Sequence, residues 1–165
     1  MTRRIRVEEI EIVVHCHATE DESKVMKALL NVLPPDLRNT VETRIERFTG
    51  YYGNPITRII ARVGRDRALD VLKYIVSSLS EVDKRYLLES LEQRYDRRSN
   101  RLFLRLDKQE AFLGRLALSD GSDTVRISIS FSIARSVDEV RRLLEEVMSL
   151  GKDADRSADS GERPS

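Results

Sequence analysis

Cysteine and histidine are the scarcest reactive residues in this 165-residue chain. It contains one cysteine, Cys16, and two histidines, His15 and His17. A single cysteine excludes an internal disulfide framework and is compatible with a reducing compartment. His15 and His17 lie on one strand face with Cys16 on the other, and no further histidine or cysteine completes a metal shell. We therefore expect no metal and no other cofactor.

Long hydrophobic runs and familiar catalytic motifs are also lacking. No stretch approaches the roughly 18 apolar residues of a membrane span, and Met1-Thr2-Arg3-Arg4 leads directly into a strand pattern rather than a signal peptide. Neither a nucleophile elbow nor a glycine-rich phosphate loop occurs. These absences predict a cytoplasmic protein that makes no membrane contact, is not an enzyme and has no catalytic residues.

Arginine is abundant. Of the 29 basic residues six are lysine and 23 are arginine, against 28 acidic residues, so that the net charge is only +1. The planar guanidinium group suits phosphate contacts and stacking on bases. A GC-rich genome or a surface rich in ion pairs would explain the same composition, so composition alone does not identify a partner.

The hydrophobic pattern predicts one α+β domain over residues 1–150, in the order β-α-β-β-α-α-β-β-β-α. We expect a mixed β-sheet covered on one face by helices, which leaves the other face for solvent or a partner. The predicted strands cover about 5–16, 41–49, 57–63, 102–106, 115–118 and 124–133. The predicted helices cover about 22–33, 68–79, 80–94 and 136–147, and a short turn of helix is expected at 108–113.

Several local signals mark the ends of these elements. The alternation of apolar and polar residues shifts by one position near Glu8-Glu9, which predicts a β-bulge. Thr19 with Glu22 and Ser136 with Glu139 have the spacing of capping boxes. From residue 151 onward no apolar residue is larger than alanine, so that 151–165 is predicted to be a disordered tail.

Positive charge is concentrated in two segments. Residues 38–67 contain seven arginines against three carboxylates, and residues 94–108 contain six basic residues against two, so that the remainder of the chain has a net charge of −7. Strand alternation places Arg58 and Arg62 on the face opposite the core, and likewise the stripe Arg101, Phe103 and Arg105. Arginines that flank an aromatic ring are typical of proteins that bind single-stranded nucleic acid. Alternatively, this face is solvated and Phe103 is buried in a second small core.

Two loops carry weaker signals. Arg65 and Arg67 open a helix directly after Gly64, where free N–H groups attract anions, although Asp66 is expected to cap that helix. Tyr51 and Tyr52 lie in a predicted turn and either stack on bases or pack against the chain.

Four motifs of the sequence form a recognisable set: Thr19-Glu20-Asp21-Glu22-Ser23-Lys24-Val25, Tyr52-Gly53-Asn54-Pro55-Ile56, the run from Arg101 through Asp107-Lys108-Gln109 to Gly114, and Asp123-Thr124-Val125-Arg126-Ile127. Together they resemble an archaeal RNA-binding family described as a predicted exosome subunit. The resemblance covers about residues 5–149 and implies RNA binding, association with RNA-processing or exosome proteins, and a fold similar to the ribosomal protein that binds 5S RNA. It supplies no catalytic or base-reading residue.

The sequence therefore favours a non-catalytic RNA-binding protein. The alternative is a protein-interaction or dimerisation module that uses the same sheet face, with Ile56, Ile60 and Phe103 as its apolar centre; homo-oligomerisation stays open. A third hypothesis, a metal-dependent hydrolase, would require metal ligands beyond the two histidines. The candidate RNA-binding residues are Arg44, Arg47, Tyr51, Tyr52, Arg58, Arg62, Arg65, Arg67, Arg101, Phe103, Arg105 and Lys108.

Overall fold

A computed structural model describes residues 5–132 and 136–159 of the chain. The strands are β1 (Arg6–His17), β2 (Thr43–Thr49), β3 (Pro55–Val63), β4 (Tyr95–Asp96), β5 (Arg101–Asp107) and β6 (Thr124–Ser132). The helices are α1 (Glu22–Leu30), α2 (Arg65–Ser78), α3 (Glu81–Glu89), α4 (Leu91–Arg94), α5 (Lys108–Phe112) and α6 (Val137–Asp159), with a 3₁₀ turn at Pro35–Leu37.

The six strands form one sheet in the order β2-β3-β1-β6-β5-β4. The predicted α+β class is confirmed, but the expectation of a mixed sheet is wrong, because every pairing between neighbouring described strands is antiparallel. The reason is topological. β1 and β2, which α1 connects, run in the same direction, but β3 lies between them and pairs with both.

One face of the sheet packs against the helices. Ile10, Ile12 and Val14 of β1 are fully buried in the main core, together with Leu29 of α1 and Leu72 of α2. Burying one such side chain stabilises the fold by about 1.5–3 kcal/mol, so the register that keeps these residues inward is strongly favoured. The predicted bulge is confirmed, since the β1–β6 register shifts between Val7 and Glu9.

No helix of the described residues covers the opposite face, and the side chains that point outward from it lie outside the core cluster. We call this surface the open face. It consists of the outward-facing side chains of β1, β2, β3, β5 and β6, and the sequence correctly predicted that only one side of the sheet is covered.

Some element boundaries differ from the sequence prediction. The predicted strand at 115–118 is a loop with a single bridge, Leu106 to Leu118. The predicted helix 80–94 divides at Ser90 into α3 and α4, and the two-residue strand β4 was too short for a periodicity to reveal. No helix among the described residues is long and apolar enough to cross a membrane.

Helix ends also differ. Asp21, not Thr19, caps α1, because its side chain accepts a hydrogen bond from the Ser23 amide at 2.9 Å. The residue that precedes α2 is Gly64, and Asp66 lies in the first turn. Helix α6 continues to Asp159, past the predicted tail boundary after residue 150. Residues 160–165 of the predicted tail and residue 133 of the predicted last strand lie outside the described residues.

Candidate nucleic-acid interface

The open face brings together side chains that are far apart in the sequence. In the antiparallel register Arg44 lies opposite Ile60, Ile60 opposite Val13, Val13 opposite Arg126, and Arg126 opposite Arg105. Directly opposed residues of an antiparallel pair point to the same side. This row crosses five strands and lines a depression of about 660 Å³, which Phe103 and Arg58 also line.

The half of the open face on β1, β2 and β3 is electrically compensated. Arg44 forms an ion pair with Glu46 at 3.0 Å, and Arg58 approaches the same carboxylate at 3.5 Å. Arg62 forms an ion pair with Glu11 at 2.9 Å. These guanidinium groups reach the predicted face, but each has a protein carboxylate as a partner, so an incoming phosphate must compete for them.

The half on β5 and β6 is not compensated. Arg101, Arg105 and Arg126 form no ion pair with any carboxylate of the described residues. Arg105 and Arg126 are exposed and stand directly opposite each other across the two strands. We call them the free cation pair. Like charges in this position destabilise a sheet, so an anion bound between them would relieve repulsion.

Phe103 lies between Arg101 and Arg105 on β5, opposite Ser128 of β6. Its side chain is 44% exposed, and it is absent from the core cluster. The alternative that Phe103 is buried in a second small core is therefore wrong. An exposed ring beside free guanidinium groups offers a stacking surface next to phosphate contacts.

Arg126 was missed by the sequence analysis, although a signal was present. Val125 and Ile127 face the core, and alternation along β6 therefore places Arg126 on the open face. Its position beside Arg105 could not be read in the same way, because it depends on the pairing of β5 with β6.

A second cluster lies near the middle of the open face. Arg58 Nε donates a hydrogen bond to His15 Nε2 at 3.2 Å, and its guanidinium carbon lies 5.1 Å from the centre of the Phe48 ring. Burial lowers the pKa of His15, and the positive charges of Arg58 and Arg126 lower it further. The acceptor role of Nε2 and the lowered pKa both favour a neutral imidazole. Phe48, which is 40% exposed, was a second residue that the sequence analysis missed.

Lys108, a predicted RNA contact, is nearly buried and already has protein partners, so we omit it from the RNA site proposed below. Its side chain is 4% exposed, and Nζ donates to Glu20 at 2.9 Å and to the His15 carbonyl at 3.0 Å and lies 2.7 Å from Asp123. Burial alone would lower the pKa of Lys108, but the hydrogen bonds to Asp123 and Glu20 outweigh it and raise that pKa. Lys108 instead ties three segments of chain together.

Arg47, Arg65 and Arg67 also have structural partners. Arg47 lies on the helix side of β2, where Nη1 donates to Glu22 and to Thr57 Oγ1, each at 3.0 Å. Arg65 and Arg67 lie in the first turn of α2. Arg65 holds Glu8 through two hydrogen bonds of 2.9 and 2.6 Å, which lower the pKa of that carboxyl.

Arg67 bridges two segments, with hydrogen bonds to Asp36 at 2.7 Å and to Asp70 at 2.9 Å. The hydrogen bond from Arg67 lowers the pKa of Asp36. We therefore omit Arg47, Arg65 and Arg67 from the RNA site proposed below.

Tyr51 and Tyr52 are at the tip of the β2–β3 hairpin and are 97% and 88% exposed. Their rings meet edge to face, with centroids 5.3 Å apart. Gly53 has φ of +81°, which closes the turn in a conformation that side-chain-bearing residues rarely adopt. The alternative that these tyrosines pack against the chain is therefore wrong, and both rings are accessible.

His15 and His17 both face the open side, as their pairing with Arg58 and Ile56 requires. Within the described ranges no group of three or more histidine, cysteine, aspartate or glutamate side chains could hold a metal ion.

Comparison with known proteins identifies the family to which the sequence is similar. A family model described as RNA binding matches residues 9–131 of the chain. The RNA-binding protein PAB1135 of Pyrococcus abyssi is 33% identical over 131 residues, which cover 78% of this chain and 84% of that protein. The uncharacterized protein MJ0213 of Methanocaldococcus jannaschii is 33% identical over 120 residues, covering 71% of this chain and 79% of that protein.

Solved structures show the same fold. The crystal structure of protein AF2318 from Archaeoglobus fulgidus is similar with a TM-score of 0.72 and 26% identity, and the match covers 86% of this chain and 99% of that one. Mth689, a DUF54 protein from Methanothermobacter thermautotrophicus, is similar with a TM-score of 0.69 and 29% identity over 86% and 98% of the two chains.

Proposed function

We propose that this chain, which belongs to the RNA-binding family whose model matches residues 9–131, is a non-catalytic RNA-binding protein. In this proposal the phosphates bind at the uncompensated half of the open face, to Arg101, Arg105 and Arg126. The observation that carries the proposal is the free cation pair. Two arginines at directly opposed strand positions, neither with a carboxylate partner among the described residues, can together bind an anion with several acceptor oxygens.

The compensated arginines have a lesser role in this proposal. Arg44, Arg58 and Arg62 surround the same depression, but a phosphate gains less from a cation that already has a carboxylate partner. We expect them to add to the affinity chiefly through their position at the rim. Phe103, Tyr51 and Tyr52 supply the exposed rings on which bases stack.

The test compares two double variants that remove the same charge. Arg105→Ala/Arg126→Ala removes the free cation pair. Arg85→Ala/Arg142→Ala removes two exposed arginines of α3 and α6, on the helix side, that form no ion pair among the described residues. Binding of a fluorescent single-stranded RNA is measured by anisotropy across a salt series.

We expect the free-pair variant to lose about tenfold or more in affinity, since charge-assisted contacts are the strong ones. Each lost phosphate contact should also reduce the slope of log K against log salt by about 0.7. The helix-side variant should stay close to the wild type in both quantities. Equal affinities and equal slopes for the two variants would refute the site.

The protein-docking alternative has a weaker basis than the sequence indicated. Ile60 is only 7% exposed, so that the expected apolar centre of Ile56, Ile60 and Phe103 is reduced to Phe103 and the partly exposed Ile56. A stable dimer by light scattering that buries this face, combined with no RNA affinity at moderate salt, would favour the alternative.

We also propose an association with RNA-processing or exosome proteins, for which the support is the motif resemblance alone. The open face would be occupied by RNA, so that such a partner would contact the helix side. Copurification from cell extract that survives RNase treatment is the expected result, and loss of every partner after RNase would contradict it.

A further inference from the structure

We infer that the RNA is a single strand that crosses the open face diagonally, from Phe103 on β5 to Tyr51 and Tyr52 at the hairpin tip. The inference rests on the proposed function and deepens it by naming the substrate class and the path. Three observations carry it: a continuous groove, aromatic rings spaced along it, and arginines beside those rings.

The groove is continuous because neighbouring depressions share their walls. The depression of about 660 Å³ beside Phe103 shares His15, Arg58 and Arg126 with a second of about 350 Å³. The second shares His17 and Ile56 with a third of about 300 Å³, which Tyr51 and Tyr52 line. All three therefore follow one path along the open face.

Aromatic surfaces recur along this path. Phe103 lies at one end, and the exposed pair Tyr51 and Tyr52 lies at the other. Between them the Arg58 guanidinium covers Phe48 at 5.1 Å, which leaves the outer side of the guanidinium plane for a base. Unpaired bases stack on aromatic rings and on arginine planes in this way.

Cations accompany the rings. Arg126 and Arg58 line both the first and the second depression, at the point where the path passes from β6 towards β3. The path therefore alternates stacking surfaces with phosphate partners, as single-stranded RNA requires.

A duplex does not match these features. Its bases are paired and stacked on each other, and it offers a protein mainly phosphates and 2′-hydroxyls. Exposed rings at both ends of the groove would gain nothing from such a ligand, whereas the bases of a single strand can reach them.

The register sets the length of the path as far as Phe48, which lies three residues before Tyr51. Four strand spacings of about 4.8 Å and six residues of about 3.4 Å separate Phe103 from Phe48, which gives a diagonal of roughly 28 Å. At the stacked rise of about 3.4 Å per nucleotide this corresponds to about eight nucleotides, so that a stacked strand must be longer than about eight nucleotides to reach the hairpin tip.

The experiment measures affinity against RNA length. Fluorescein-labelled oligoadenylates of about 2, 4, 8 and 12 nucleotides, and a 12-base-pair RNA duplex, are titrated against the full chain, lengths that bracket the groove and the site sizes of such proteins. The variants are Phe103→Ala, Tyr51→Ala/Tyr52→Ala and, as the matched control that keeps the rings, Tyr51→Phe/Tyr52→Phe. Urea unfolding confirms that each variant is folded.

We expect Phe103→Ala to weaken binding of every length by about 5- to 150-fold, the effect of one lost base stack. Tyr51→Ala/Tyr52→Ala should weaken the 12-nucleotide RNA and leave the 2- and 4-nucleotide RNAs unchanged, since short RNAs bind at the free cation pair and do not reach the hairpin. The Phe control should bind like the wild type, and the duplex should bind less tightly than the 12-nucleotide strand.

The failure of this inference is distinguishable from that of the proposed function. If the Tyr→Ala variant binds all lengths like the wild type, or if the duplex binds as tightly as the single strand, the path is wrong while RNA binding stands. If no RNA binds, or if Arg105→Ala/Arg126→Ala changes nothing, the proposed function itself fails.

Discussion

The carboxylate that lies beside a basic residue decides what that residue can do in this protein. Arg62 and Arg105 both point outward from strands, yet Arg62 is held by Glu11 at 2.9 Å and Arg105 has no carboxylate partner in the described part of the chain. Exposed ion pairs contribute only about 0–1 kcal/mol to stability, so their main effect here is to reduce the charge available to a ligand.

Lys108 is the clearest case of a basic residue with a structural role, and we predict that Lys108→Met destabilises the fold by about 2 kcal/mol. The change leaves Glu20, Asp123 and the His15 carbonyl without their shared donor, and the value lies below that of a fully buried pair because both carboxylates keep some hydration. The midpoint of urea unfolding measures the change.

Lys73→Met, at an exposed position of α2, is the control and should shift stability by less than about 0.5 kcal/mol. The RNA affinity of folded Lys108→Met should stay within about twofold of the wild type. This change is much smaller than the loss of affinity that follows removal of one charge-assisted contact. A large loss of affinity without a loss of stability would return Lys108 to the set of RNA contacts.

In strands β5 and β6, the arginine pair proposed to bind RNA lowers the stability of the sheet. Leu104 and Ile127 on their inner side are buried, and that burial holds the register which also sets Arg105 opposite Arg126 on the outer side. The core therefore holds two like charges at directly opposed positions, which is unfavourable for stability. Binding of an anionic ligand would relieve the repulsion between them.

This opposition predicts that Arg105→Glu stabilises the protein while it weakens RNA binding. A glutamate opposite Arg126 replaces a repulsive pair by an attractive one, for a gain of about 0.5 kcal/mol at low salt. Urea unfolding at low salt measures this gain in the free energy of unfolding. The gain should disappear at about 1 M salt, where surface charges are screened.

Arg105→Gln is the control, since it removes the repulsion without adding attraction. Its stability should lie between that of the wild type and that of Arg105→Glu. If Arg105→Glu is less stable than Arg105→Gln at low salt, the opposed geometry of the two strands is wrong.

On the scale of the whole molecule, a net charge of +1 conceals an uneven distribution. The uncompensated guanidinium groups of Arg101, Arg105 and Arg126 share one side of the sheet, and the core and helices occupy the other. A molecule arranged in this way can bind a polyanion on one face without a large overall charge.

We therefore predict that RNA changes the spectrum of one side of the molecule only. Backbone amide chemical shifts should move in β1, β2, β3, β5, β6 and the turn at residues 50–55, while those of α2, α3 and α6 stay unchanged. NMR titration with a 12-nucleotide RNA checks this, with Arg105→Ala/Arg126→Ala at the same RNA concentration as the control. Shifts that spread equally over the helices would contradict a single binding face.

The sequence by itself determined the class of the fold and the direction of most side chains. Alternation along a strand is local, so that Arg58, Arg62, Arg101, Phe103 and Arg105 could all be assigned to the outer face before any strand was paired. The bulge near Glu8 was likewise visible, because a change of apolar parity is a local signal.

Only the tertiary structure decided which charges remain free. Glu11 is 51 residues from Arg62, Glu20 is 88 residues from Lys108, and neither distance along the chain indicates contact. The order of strands in the sheet places Glu11 beside Arg62 and Arg126 beside Arg105. That order depends on how the whole core packs. Local pattern therefore places a side chain on a face, and the packing of the complete sheet selects its neighbours.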